Sequence, residues 1–296
     1  MKPNPNPFSG TGVALVTPFD QAMRIDWPAL GRIVDHVIEG GVDYVVSLGT
    51  TGESVTLDAE EKREVLAFTV QHTAGRVPIV AGFGSNDTRA LCDSVREQDF
   101  SGIDGILSVS PAYNKPTQEG IYRHYRALDE MAPRPILLYN VPGRTSSNMS
   151  AETTLRLARD AKNIVGIKEA SGNFDQIGRL LRDRPAGFSI LSGDDALALP
   201  QLGMGIDGVI SVIANGWPRA FSDLVRAGRA GDFDRARALH FDLMDAIDLL
   251  FREGNPGGIK CAMAAMGLCE EVLRLPCYPV SDPLRTALRA EVKRGS

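Results

Sequence analysis

Lys168 stands in Ile164-Val165-Gly166-Ile167-Lys168-Glu169-Ala170, an apolar run in which a cation is out of place. Side chains alternate along a strand, so Lys168 shares a face with Gly166 and Ala170 while Ile167 and Glu169 point the other way. If Ile167 faces a layer of helices, Lys168 points into the interior of the sheet, between two small residues that leave it room. A buried cation is costly unless it is paired or neutral. Desolvation lowers a lysine pKa, and a neutral amine is what attacks a ketone to form a Schiff base. The same run also fits a lysine at a frayed strand end, its ammonium in solvent or paired with a carboxylate, and this stretch alone does not separate the two. The chain has seven lysines, and the others stand in polar helix or loop contexts except Lys260, which opens a helix.

Four further segments carry groups that could act on a small acid. Gly49-Thr50-Thr51-Gly52-Glu53-Ser54 follows a short β-branched run. Its glycines permit unusual φ, its backbone N–H groups could form an anion nest, and two hydroxyls add donors. On its own it reads more simply as an ordinary strand-to-helix turn with Ser54 or Thr56 capping the next helix. No lysine follows the glycines, which argues against a phosphate-gripping P-loop. Tyr139-Asn140-Val141-Pro142-Gly143-Arg144-Thr145 offers a phenol, a rigid turn and an arginine suited to clamping a carboxylate. Ser110-Pro111-Ala112-Tyr113-Asn114-Lys115-Pro116 places a second tyrosine on a loop after a strand. The paired aspartates of Ser192-Gly193-Asp194-Asp195 could bind a metal, but they precede Ala-Leu-Ala-Leu and read more simply as the cap of the next helix.

The elements that must position these groups alternate along the chain. Candidate strands are 13–17, 44–48, 78–82, 105–109, 136–139, 165–169, 189–192 and 208–213. Between them lie segments with helical apolar spacing. Leu30, Ile33, Val34, Val37 and Ile38 mark the first, stopped by Gly40-Gly41; the second spans 58–73 with Asp58 as N-cap. Eight strands each followed by a helix predict a parallel sheet, and the count together with the missing dinucleotide fingerprint favours closure into a (β/α)8 TIM barrel. The site then lies at the C-terminal ends of the strands, where all five segments fall. Beyond Trp217 the strand signal stops, and Leu239, Leu243, Ile247 and Leu250 mark an amphipathic helix. The expected division is a disordered N-terminus over residues 1–9, a catalytic barrel over 10–225 and a C-terminal helical extension over 226–296.

Bulk properties narrow the class. A formal charge of −5 and a pI near 5.5 argue against nucleic-acid and anionic-membrane partners. Four cysteines without close spacing read as reduced thiols, with no metal site. The opening MKPNPNPFSG lacks the apolar stretch of a signal peptide, and no apolar run approaches the ~18 residues of a membrane span. The expectation is a soluble cytoplasmic protein.

Taken together these segments resemble the dihydrodipicolinate synthase / N-acetylneuraminate lyase family, nearly end to end, from Gly12-Val13-Ala14-Leu15-Val16-Thr17-Pro18-Phe19 to Leu275-Pro276. The runs GTTGE and GIKEASG mark the superfamily. Tyr113-Asn114-Lys115-Pro116-Thr117-Gln118-Glu119-Gly120 together with the Tyr139–Thr145 segment resembles its synthase branch. The resemblance implies that pyruvate is joined to L-aspartate-4-semialdehyde through a Schiff base on Lys168, with Tyr139 as the adjacent proton donor and acceptor. It implies that Thr50 and Tyr113 complete a proton relay, Tyr113 reaching in from a neighbouring subunit. It also implies that Thr51 and Ile210 hold pyruvate, that Arg144 binds the semialdehyde carboxylate and that Gly193 lines the site. A homotetramer built as a dimer of dimers is implied. No cofactor or metal is expected, because the lysine supplies the electron sink.

Two positions depart from the family pattern: Ala112 replaces the first of two tyrosines, and Gly257-Gly258-Ile259-Lys260 replaces Ile-Pro-Val-Lys after Asn255-Pro256. Two alternatives remain. A sister pyruvate-dependent aldolase or dehydratase acting on a sugar acid would keep Lys168, Tyr139 and the threonine turn; Arg144 with Tyr113 suits a short carboxylated aldehyde better than a polyol. A non-catalytic binding protein on the same barrel predicts decay of at least one catalytic position, and none has decayed.

Overall fold

The computed structural model describes residues 8–294. Eight parallel strands close into a barrel in sequence order: β1 (Gly10–Ala14), β2 (Tyr44–Ser47), β3 (Ile79–Phe83), β4 (Gly105–Val109), β5 (Ile136–Asn140), β6 (Ile164–Glu169), β7 (Ser189–Ser192) and β8 (Gly208–Ser211). Around them run α1 (Trp27–Glu39), α2 (Ala59–Thr73), α3 (Thr88–Glu97), α4 (Gln118–Met131), α5 (Pro142–Thr145), α6 (Ala151–Asp160), α7 (Phe174–Asp183), α8 (Ala198–Met204) and α9 (Pro218–Ala230). The helices α10 (Phe233–Phe251), α11 (Gly257–Ala265) and α12 (Asp282–Arg294) follow.

The alternation of strand side chains divides the core in two. Ala14, Tyr44, Val46, Leu137, Leu191 and Ile210 fill the barrel, while Val13, Val45, Ile106, Leu138, Ile167 and Ile190 pack outward against the helices. Burying both faces explains why these strands read as continuous apolar runs. Helix α2 begins where the sequence placed it. Asp58 accepts from the N–H groups of Glu60 (2.8 Å) and Glu61 (2.9 Å), and Glu61 accepts from the Asp58 N–H (3.1 Å), a reciprocal capping box. Ser54 and Thr56 cap nothing; they form a separate 3-10 turn.

The first strand lies three residues earlier than its apolar run suggests, over Gly10–Ala14 in place of 13–17. Gly12 faces inward against the ring of Tyr44, where a Cβ would meet ring carbons at 2.3 Å, so the barrel requires a residue that carries no strand signal. Val16 and Thr17 instead serve the loop: the Val16 N–H donates to Asn215 (3.2 Å) and the Thr17 hydroxyl to the Gly52 carbonyl (2.7 Å). The eighth strand likewise stops at Ser211, before a 3-10 turn over Ile213–Asn215.

Of the segment expected to be disordered, residues 1–7 lie outside the described residues, whereas Phe8 is fully buried and packs edge-on against Tyr44 at the barrel floor. Helix α9 runs through position 225, so residues up to 230 complete the helix that follows β8. Helix α10 then packs on α8 and α9, and α11 and α12 pack on α10. Among the described residues no helix is long and apolar enough to cross a membrane.

Candidate active site

Strand β6 delivers Lys168 to the barrel interior. Ile167 is in the outer core, Glu169 is buried on the outer face, and Lys168 is 5% exposed on the inner face. It lies in register with Tyr139 on β5 and Leu191 on β7. Its Nζ stands 4.5 Å from the centroid of the Tyr139 ring. Room for it comes from across the β6–β7 boundary: a Cβ on Gly193 would meet Lys168 Cε at 2.7 Å and Ala170 Cβ at 2.7 Å. The neighbouring carboxylate is committed elsewhere. Glu169 accepts from Asn140 Nδ2 (3.1 and 3.0 Å), Gln176 Nε2 (2.9 Å) and the Ser171 N–H (2.8 Å). Asn140 Nδ2 also reaches Asn148 (2.8 Å), so the outward faces of β5 and β6 are locked while Tyr139 and Lys168 face each other inside. Among the described residues Lys168 has no ion-pair partner. The frayed-end and carboxylate-paired readings of this lysine both fall away.

The turn after β2 folds as a 3-10 helix over Thr50–Gly52. The N–H groups of Gly52 and Glu53 are spent inside it, on the carbonyls of Gly49 and Thr50 (both 3.1 Å). That leaves the N–H groups and hydroxyls of Thr50 and Thr51 as the donors this turn can offer an anion. The Thr51 hydroxyl accepts from Asn255 Nδ2 at 3.0 Å.

These groups line one cavity of about 580 Å³, with Lys168, Tyr139, Thr50, Thr51, Gly193 and Arg144 in its wall. Arg144 sits in the short helix α5, started by Pro142, and is exposed with no carboxylate partner among the described residues. The outer wall comes from α10, through Met244, Ile247 and Phe251. His240 on the same helix also lines it, and burial lowers the pKa of its imidazole.

Two of the expected site residues lie elsewhere. Ile210 is fully buried in the inner core, and Val212, two residues on, is the residue beyond β8 that lines the cavity. Tyr113 is 88% exposed with φ of 68°, its N–H donating to the Thr145 carbonyl (3.1 Å), and it does not enter its own chain's cavity. The paired aspartates need a correction. Asp194 accepts from the N–H groups of Ala196 (3.0 Å) and Leu197 (3.3 Å), ahead of α8, whose N-cap position is Leu197 without a side-chain bond. Asp195 is no helix cap. It is buried and accepts from the N–H groups of Val212 and Ile213, both at 2.9 Å, tying the β7 loop to the β8 loop. Burial pushes its carboxyl up to about 6, against the hydrogen bonds that lower it.

A model of the Dihydrodipicolinate synthetase family matches residues 7–295. The chain belongs to this family. A 4-hydroxy-tetrahydrodipicolinate synthase from Flavobacterium psychrophilum is 50% identical over 289 residues, covering 98% of this chain and 99% of that protein. The chloride-inhibited dihydrodipicolinate synthase from Acinetobacter baumannii, solved in complex with pyruvate, superposes with a TM-score of 0.93 at 39% identity, covering 96% of this chain and 98% of that one. A monomeric dihydrodipicolinate synthase variant superposes with a TM-score of 0.94 at 38% identity, covering 97% and 96%. The barrel and the helical extension are therefore shared with these relatives over nearly their whole length.

The α10 wall escaped sequence reasoning because a helix some 70 residues beyond Lys168 announces nothing about where it docks. Glu53 also went unread, although Lys260, the lysine outside a polar context, was a signal.

Proposed function

We propose that this chain condenses pyruvate with L-aspartate-4-semialdehyde, the reaction of a 4-hydroxy-tetrahydrodipicolinate synthase, through a Schiff base on Lys168. The observation that carries it is an unpaired lysine inside the barrel, 4.5 Å from the Tyr139 ring, in the cavity that Arg144 borders. The amine adds to the pyruvate ketone and water leaves, giving an iminium. The iminium accepts the electron pair as the methyl group loses a proton, and the enamine carbon attacks the aldehyde. Tyr139 delivers a proton to the new alkoxide. The amino group of the semialdehyde portion then displaces Lys168 and closes the ring. Relays of this kind contribute about 10²–10⁴-fold. Thr51 holds the pyruvate carboxylate, whereas Ile210, fully buried in the inner core, does not line the cavity. The test is turnover of pyruvate with the semialdehyde against pyruvate with sugar-acid aldehydes. Preference for a sugar-acid aldehyde would sink the assignment in favour of a sister lyase.

Arg144 binds the semialdehyde carboxylate in this reading, since it is a cation bordering the cavity with no carboxylate partner among the described residues. Arg144→Ala should lower kcat/KM for the semialdehyde by about 10- to 150-fold, the worth of one charge-assisted pair. Reaction of pyruvate with Lys168 should persist. Equal loss in both half-reactions would make Arg144 structural.

Tyr113 completes the relay from a neighbouring subunit of a cytoplasmic homotetramer. Support comes from its exposure, its φ of 68° and a separate cleft of about 160 Å³ lined by Thr50 and Tyr139 together with Ser54 and Val55. Tyr113→Phe should cost on the order of 10²-fold in kcat while the oligomer persists, because only a hydroxyl is removed. A fully active monomer at assay concentration would rule out the shared relay.

A further inference from the structure

The turn that carries Thr50 and Thr51 ends on a residue with no part in the steps above. Glu53 adopts the left-handed conformation at φ of 50°, is buried, and does not line the cavity. Its carboxylate points into the C-terminal extension. One oxygen pairs with the ammonium of Lys260 on α11, and the other accepts the Arg274 N–H at 3.0 Å. Lys260 is wholly enclosed; its Nζ also donates to the Val272 carbonyl (2.9 Å) and lies 4.2 Å from the centroid of the Phe19 ring. Around this pair the same two segments are joined again. Arg274 grips Glu61 of α2 with two bonds of 2.7 and 2.6 Å and the Thr56 carbonyl at 3.1 Å, and Asn255 donates to the Thr51 hydroxyl at 3.0 Å. The Thr17 hydroxyl holds the Gly52 carbonyl from the β1 side.

Stability alone accounts poorly for this arrangement. The cost of desolvating two charges offsets most of their attraction, and an apolar pair of similar volume often serves a core as well or better. A non-glycine residue in the left-handed region adds strain that persists only where its surroundings over-determine it. What the pair does supply is fixed direction: an ammonium with three defined neighbours holds the carboxylate, and through it the backbone that ends the threonine turn.

We propose that Glu53 and Lys260 are positioning residues of the reaction, setting the orientation of Thr50 and Thr51 from beneath; this rests on the roles given to those threonines above. The C-terminal extension is then part of the site in two ways, walling the mouth through α10 and anchoring the turn through α11.

The double variant Glu53→Gln with Lys260→Met removes both charges while keeping volume. It is expected to unfold near the wild-type midpoint, to react with pyruvate and borohydride about 10- to 100-fold more slowly, to show a raised KM for pyruvate, and to exchange the amide hydrogens of segment 49–56 faster. A folded double variant with wild-type trapping, KM and exchange overturns the proposal, since a merely structural pair gives that result. If the double variant does not fold, Glu53→Gln alone is measured in the same way: slower trapping with faster exchange supports the proposal, and wild-type values overturn it. If the wild-type enzyme itself fails to react with pyruvate, the reading of the site falls. Amide exchange then still decides whether the pair orders the threonine turn: lost protection over 49–56 supports that part of the proposal, and unchanged protection overturns it.

Discussion

Borohydride added together with pyruvate should inactivate the enzyme and leave one pyruvate-derived adduct, on Lys168. Labelling should be selective because the chain has only seven lysines and, among the described residues, Lys168 is the one that lines the cavity. The other enclosed amine, Lys260, is the instructive contrast. It is more buried than Lys168, and burial lowers its pKa, yet its Nζ is engaged by Glu53 and the Val272 carbonyl and the cavity does not reach it. A buried lysine is a nucleophile only where a ketone can approach along its lone pair, and Lys260 has no such approach. Lys168 has space made for it by Gly193 and an open cavity above it. Lys168→Arg should abolish the adduct, because a guanidinium stays protonated and is a poor nucleophile. It should also lower kcat by on the order of 10⁴–10⁶-fold, as removal of a covalent nucleophile does. Peptide mapping of the trapped protein is the measurement, and an adduct mainly on another lysine, or none, would sink the Schiff-base mechanism.

What could be read from sequence follows from the range of the forces involved. Lys168 was legible because strand alternation is local: Gly166, Ile167 and Ala170 fix its face without reference to anything distant. Asp58 was legible for the same reason, since a cap and its N–H partners lie within three residues. β1 was misplaced because Gly10 and Gly12 answer to the ring of Tyr44 and to β8, neither of which is nearby in the chain. Asp195 was misread because its partners, Val212 and Ile213, lie 17 and 18 residues away, while a helix that it does not cap begins three residues on. Glu53 and Lys260 are 207 residues apart, and only the docking of the C-terminal helices brings them together. The resemblance could name Tyr113 and Arg144, but periodicity could not place them.

Gly193→Ala should damage the reaction far more than the fold. Its backbone is outside the positive-φ residues, so alanine brings no conformational penalty there, and only the new methyl group matters. That methyl would meet Ala170 Cβ at 2.7 Å and the Lys168 side chain at 2.7 Å on Cε and 3.2 Å on Cγ. Ala170 Cβ is fixed to the backbone just past β6, whose end is locked by the Asn140–Glu169 bonds. The contact with Ala170 is relieved only by a small backbone shift of the β7 loop, whereas the contact with Lys168 is relieved by displacing its side chain, and that side chain is the nucleophile. Overpacking of this kind costs about 1–3 kcal/mol of stability, which leaves a protein of this size folded. Moving the reacting nitrogen by about 1 Å costs on the order of 10²-fold in rate, because attack on a ketone demands close approach along a defined line. The two effects separate experimentally: denaturant unfolding should show a modest shift, while the rate of pyruvate-dependent trapping at Lys168 should fall about 100-fold. Trapping at the wild-type rate in folded Gly193→Ala would mean that the lysine has space the geometry does not give it, and that Gly193 is not what holds the nucleophile in line.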